Sequence, residues 1–255
     1  MGAPGPNIRI GGNSADESCY QATSVPLPAG DRFYINQTQL QTYKEIIPLW
    51  NGSIVVDTNL RNQYHPATSA AHVAAVARVI GFDTQTALGA PFVEAVEIGN
   101  EPELFHTTKH QFPIRPPNYT AANYWADIDR YVPALRAAGL PPARVQCMVF
   151  CCNNADFDGS IVANLQRLGP GTCHSVSYHR YPHGVGPVNN ETASALLLLA
   201  NSSAAGLIAP IVDYVQAANA LGIKFYIAEG GVIGPAPGFQ APLPYATALW
   251  LANYI

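Results

Sequence analysis

The chain has 255 residues, five cysteines and a formal net charge of −4; 48% of its residues are hydrophobic and only 12% charged. This supplies material for one large α/β domain or two small ones, and the net negative charge without a basic run argues against a polyanion-coating nucleic-acid binder. No apolar stretch approaches the roughly 18 residues that a membrane-spanning helix needs, so no membrane span is expected.

The chain opens Met1-Gly2-Ala3-Pro4, without a basic segment followed by an apolar one, so no signal peptide is read there. A first strand over 7–11 (NIRIG) runs into Gly12-Asn13-Ser14, and a helix over 37–47 follows. The second strand, 53–57 (SIVVD), ends at Thr58-Asn59, and a helix over 69–80 stops at Gly81, a good C-cap. The third strand, 92–98 (FVEAVEI), breaks at Gly99-Asn100-Glu101-Pro102, because proline cannot continue a sheet ladder. An amphipathic helix over 120–138 leads to a strand over 144–150 (RVQCMVF), and a helix over 160–168 stops before Gly169-Pro170. The strand over 174–179 (HSVSYH) ends in Arg180-Tyr181. The apolar stretch 193–200 has the character of a buried helix; another helix, 210–221, precedes the strand 224–228 (KFYIA) and Glu229. A last helix spans 245–254.

Six short apolar strands alternating with helices predict a parallel sheet. Their polar ends gather at one face in a (β/α)8 TIM-type barrel, where active sites sit. A doubly wound sheet is the runner-up, but Gly11-Gly12-Asn13-Ser14 has neither of the phosphate-loop patterns that fold commonly carries. A full barrel needs two more strands. The expectation is one partial catalytic domain over residues 1–255, from second strand to seventh helix of a barrel whose first and eighth strands are missing. An open six-stranded sheet is the alternative.

Sequons at Asn36, Asn51, Asn118, Asn190 and Asn201, with Lys and Arg scarce, point to a secreted glycoprotein. In such a setting Cys173 can bridge to Cys147, Cys151 or Cys152, and five cysteines permit two disulfides with one left over. Their spacing fits no zinc pattern, so neither a metal nor a cofactor is expected.

Two glutamates, Glu101 and Glu229, each close an apolar strand beside glycine, three βα units apart. Cleaving a glycosidic bond with retention needs two carboxyl groups about 5–5.5 Å apart, one protonated to aid the leaving oxygen and one ionised to attack the anomeric carbon. An amide such as Asn100 can hold the sugar 2-hydroxyl. Glu94, Glu97 and Glu103 read instead as ordinary solvated carboxylates.

VEIGNEPELF at 96–105 resembles the acid/base segment of the (β/α)8-barrel retaining glycosidases, and FYIAEGG at 225–231 their nucleophile strand. With IRIGGNSADES, SYHRYP and ALWLANY, the ordered set is most similar to glycoside hydrolase family 79, the heparanase-like and fungal secreted β-glucuronidases. The resemblance implies Glu101 as general acid/base, Glu229 as nucleophile and Asn100 as partner of the 2-hydroxyl. It implies that Gly11, Gly12, Asn13 and Ser14 line the sugar pocket, with His179 and Tyr181 placed to hydrogen-bond the nucleophile. Asp57 and Asn59 are weaker candidates. Arg180 departs from the aromatic or His-rich form of that segment, and no basic group stands out as host for a uronate carboxylate. The implied substrate is a glucuronide or a uronate-containing glycan, and the family's accessory β-sandwich is not found in this sequence. Another retaining exo-β-glycosidase acting on a neutral sugar, or a carbohydrate-binding barrel without catalysis, is the competing reading.

Overall fold

All six expected strands form, in one parallel sheet. In a computed structural model the described residues are 5, 7–21, 33–60, 66–106, 115–151, 154–168, 171–180 and 209–230. The strands of the main sheet are β1 (Asn7–Ile10), β4 (Ser53–Thr58), β5 (Val93–Ile98), β6 (Val145–Phe150), β7 (Ser175–Arg180) and β8 (Lys224–Gly230). Between β1 and β4 lie two strands that the sequence pattern did not predict. These are β2 (Ser18–Tyr20) and β3 (Phe33–Ile35), three residues each, which pair with one another. The helices are α1 (Gln37–Trp50), α2 (Ala67–Val79), α3 (Ala121–Ala137), α4 (Ala155–Leu168) and α5 (Val212–Ala220). The expected helices over 193–200 and 245–254, together with Tyr181, Cys152, Asn190 and Asn201, lie outside the described residues.

Strand order is β1-β4-β5-β6-β7-β8, every pair parallel. Each crossover therefore moves the chain one strand in the same direction. A doubly wound sheet must reverse that direction at a switch point, and this sheet does not. The six strands are also curled. Laid flat, β1 and β8 would be five ladder steps apart, or about 24 Å. Yet Arg9 Nη1 on β1 makes an ion pair with Glu229 Oε1 on β8. The architecture is thus α/β, a curled half-barrel sheet with helices packed on it.

The two faces of the sheet differ in chemistry. Towards the helices, Ile54, Val56, Val73, Val76, Val96, Ile98, Tyr124, Ile128, Ile161 and Leu165 form a continuous apolar core. A buried disulfide, Cys147–Cys173, links β6 to the entry of β7, choosing one of the three partners left open by the sequence, while Cys19 keeps its thiol. A second set of side chains is polar and equally buried. Ser175 Oγ donates to Gln146 Oε1 (2.8 Å), Gln146 Nε2 donates to Glu97 Oε2, and Ser177 Oγ donates to the same Glu97 oxygen (3.3 Å). This network links β5, β6 and β7. Among the described residues no helix is long and apolar enough to cross a membrane.

Candidate active site

Glu101 stands one residue beyond the Gly99-Asn100 break in β5, with φ 49° and ψ 57°, a left-handed backbone that L residues adopt at a cost. Its amide donates to the Val149 carbonyl at 3.0 Å, and Pro102 then starts a short 3-10 turn over Pro102–Leu104. Gly99 is needed for the exit. Its φ is +76°, and a Cβ there would lie 2.5 Å from Leu60 Cβ. Glu229 is the sixth residue of β8, paired with His179 across the β7 ladder.

The pair comes together. One atom each of Glu101, His179 and Glu229 lies within 4.8 Å of the other two. His179 Nδ1 is 3.0 Å from Glu101 Oε1 and 3.5 Å from Glu229 Oε2, so one fully buried imidazole faces both carboxylates. Their surroundings differ. The Glu101 side chain is 4% exposed and faces the imidazole, whereas that of Glu229 is 30% exposed and meets the Arg9 guanidinium. These three side chains have ligand atoms close enough to face a cation, although a guanidinium already sits against Glu229.

Arg9 is the centre of the charge network. Its Nε donates to Glu97 Oε1 (2.6 Å), Nη2 to Asn100 Oδ1 (2.8 Å) and Nη1 to Glu229 Oε1, while Asp57 Oδ2 lies 3.7 Å away. Burial alone would lower its pKa, but the combined field of Glu97, Asp57 and Glu229 raises it above the ordinary value, so the cation persists. Asp57 responds oppositely: burial first, then Glu97 and Asp16, push its carboxyl well above the usual range.

Asn100 is held at three points. Arg9 bonds its Oδ1, its Nδ2 donates to Asn13 Oδ1 (2.9 Å), and its backbone N–H donates to Asp16 Oδ2 (2.9 Å). Asp16 also accepts the Leu60 amide at 2.9 Å; burial pushes its pKa up to about 7, with those two amides resisting the shift. Gly12 (φ +99°) approaches Glu229: a Cβ there would be 3.9 Å from Glu229 Oε1, and its amide donates to Asp57 Oδ2 at 3.3 Å.

Of the residues singled out from sequence, Glu101, Glu229, Asn100, Gly12, Asn13 and His179 meet at one end of the sheet, with Asp57 beneath. Ser14 lies at the exposed end of its turn, where its carbonyl accepts from Ser18 Oγ. Asn59 faces away, its Nδ2 donating to the Ser18 carbonyl. Tyr181 is outside the described residues.

One sequence expectation is corrected. Glu94, Glu97 and Glu103 are not solvated but 5%, 0% and 0% exposed. Glu97 points inward because Arg9 and Gln146 compensate it. Sequence reasoning missed Arg9 itself. Its signal was a single charge between Ile8 and Ile10 in a strand, at the period that places residues 7, 9 and 11 on one face.

No family model and no curated protein matches the sequence. Solved structures do match. A 4-O-α-L-rhamnosyl-β-D-glucuronidase from Fusarium oxysporum superposes with a TM-score of 0.72 at 21% identity, over 98% of this chain and 51% of that one. A family 44 xyloglucanase from Paenibacillus polymyxa gives 0.57 at 12% identity, over 85% of this chain and 56% of the other. A family 44 endoglucanase from Clostridium gives 0.56 at 11% identity, over 84% and 56%. The chain thus spans about half the length of each, and what they share with it is the fold of glycoside hydrolases.

Proposed function

We propose that this chain carries the catalytic centre of a retaining β-glycosidase, with Glu101 as acid/base, Glu229 as nucleophile and a β-glucuronide as substrate. The observation that carries this reading is the pairing of the two carboxylates, with oxygens within 4.8 Å, in unlike surroundings. Retaining enzymes hold their carboxyl groups about 5–5.5 Å apart, and inverting ones about 6.5–9.5 Å to admit a water. Two carboxyls in different environments take different roles.

In the first step a Glu229 oxygen bonds to the anomeric carbon as the bond to the leaving oxygen breaks. Glu101 passes its proton to that oxygen. In the second, Glu101 takes a proton from water, whose oxygen displaces Glu229 from the same carbon. Arg9 balances the negative charge on Glu229 between turnovers, and Asn100, fixed by Arg9, Asn13 and Asp16, is placed to bond the sugar 2-hydroxyl.

The glucuronidase neighbour and the family 79-like motifs support a uronate substrate. A neutral sugar is the second reading: Arg9 is committed to Glu97, Glu229 and Asn100, and two of the neighbours are a xyloglucanase and an endoglucanase. The Cys147–Cys173 bridge, and the sequons at the exposed Asn118 and the half-buried Asn36 and Asn51, support an extracellular location.

The test is turnover of an aryl β-glucuronide beside an aryl β-glucoside. Glu101→Gln and Glu229→Gln should each lower kcat by about 10²-fold or more on the preferred substrate. Near-wild-type rates in either variant would refute the assignment, and preference for the glucoside would refute the uronate.

A further inference from the structure

We propose that Glu103 is a positioning residue for Glu101, holding the end of β6 in the bulged shape that receives the backbone of Glu101. The proposal rests on the acid/base role given to Glu101 above. β5 and β6 pair only at Val96↔Val145 and Glu97↔Gln146, so their ladder stops well short of the site. Two other bonds continue the connection. The Glu101 N–H donates to the Val149 carbonyl (3.0 Å), and the Cys151 N–H donates to Glu103 Oε1.

At and just before the first of those points β6 is strained. Met148 has φ 66° and Val149 φ 119°, and the register against β7 slips between Met148 and Phe150. A β-branched residue at positive φ persists only where its surroundings over-determine it, at about 1–3 kcal/mol per strained residue. Glu103 supplies that constraint. It is fully buried, two residues from Glu101 in the turn Pro102–Leu104, and its acceptor meets the strand just past the bulge. Burial pushes its carboxyl well above the usual range, and a carboxyl oxygen accepts the amide in either protonation state.

Cys151 is itself disulfide-bonded, but removing the acceptor deprives its N–H of Glu103 and lets residues 148–150 relax towards a regular strand, which withdraws the Val149 carbonyl from Glu101. A misplacement of about 1 Å can cost on the order of 10²-fold in rate. That loss should appear where proton donation matters. Leaving groups such as dinitrophenolate need little help from an acid, whereas alkyl and weakly acidic phenyl groups need it.

The experiment compares Glu103→Met and Glu103→Gln in the intact protein, on a series of aryl glycosides of the sugar that the wild type prefers. Glu103→Met, which keeps the volume but removes the acceptor, should lower kcat/KM about 10–100-fold for poor leaving groups and under about 3-fold for dinitrophenyl. Glu103→Gln, which keeps a carbonyl acceptor, should stay within about 3-fold of wild type throughout. A loss uniform across leaving groups, or equal effects of Met and Gln, would overturn the proposal. Glu101→Gln is run alongside. If it lacks leaving-group dependence, the acid/base reading fails; if it has that dependence and Glu103→Met does not, only the role of Glu103 fails. Should Glu103→Met not fold, amide hydrogen exchange of Cys151 decides: protection among the slowest class in wild type but lost in a folded Glu103→Ser supports the clasp, and rapid wild-type exchange overturns it.

Discussion

Replacing Arg9 by Met should unbalance the interior of the sheet. The Arg9 side chain is 10% exposed and binds Glu97, Glu229 and Asn100, with Asp57 3.7 Å away. Methionine keeps much of the stem and removes every charged donor. Glu97, fully buried, is then left with Gln146 and Ser177 as donors, and Asp57 with the Gly12 amide. Breaking a buried pair by deleting one partner costs about 3–5 kcal/mol, because the other charge stays behind. At about 2–4 °C per kcal/mol for a domain of this size, Tm should fall by roughly 6–20 °C. Urea denaturation of Arg9→Met, Glu97→Gln and the double variant measures the coupling directly, expected at about 2–3 kcal/mol. A cost of Arg9→Met below about 1 kcal/mol, or a coupling below about 0.5 kcal/mol, would refute the reasoning.

Gly99→Ala combines a left-handed backbone with a clash on Leu60 and should cost about 2–5 kcal/mol. Gly89→Ala, at φ +82° with nothing within 4 Å of the added carbon, should lose only the backbone part, about 1–2 kcal/mol; equal losses would contradict the clash. At the opposite end of the sheet, His174 Nε2 (3.1 Å) and then Lys224 Nζ (2.5 Å) hold the Glu94 carboxyl down to about 2. A folded pKa below the ordinary 4.5 gives stability that is present above pH 4.5 and lost as pH falls towards 2. Glu94→Gln should flatten the fall in Tm over that window, and an unchanged profile would count against it. Removing the Cys147–Cys173 bridge, whose ends are 26 positions apart, should cost about 3 kcal/mol in chemical denaturation; a loss below about 1 kcal/mol would contradict that estimate.

The strands were legible because a parallel sheet buries them on both sides, leaving short apolar runs such as SIVVD and FVEAVEI between glycine and proline stops. The carboxylate pair was legible for the related reason that Glu101 and Glu229 sit where those runs end. What could not be read was which in-strand charges find partners. Arg9 and Glu97 are 88 positions apart, and neither reveals from its neighbours that the other will compensate it. Glu103 resembled a solvated carboxylate for the same reason, its partner being the Cys151 backbone amide just past β6. The strands β2 and β3 escaped notice because three residues are too few to display a period.

The contact between Arg9 and Glu229 also orders events in time. The two residues are 220 positions apart, and closing a loop of that length in an unfolded chain costs about 5 kcal/mol of entropy. While the chain is being synthesised, β1 to β7 can bring Glu101 and His179 together, but Glu229 arrives only with β8, the last strand of the described sheet. The pairing of the two carboxylates is therefore acquired late in synthesis, and a half-made chain holds Glu101 without Glu229.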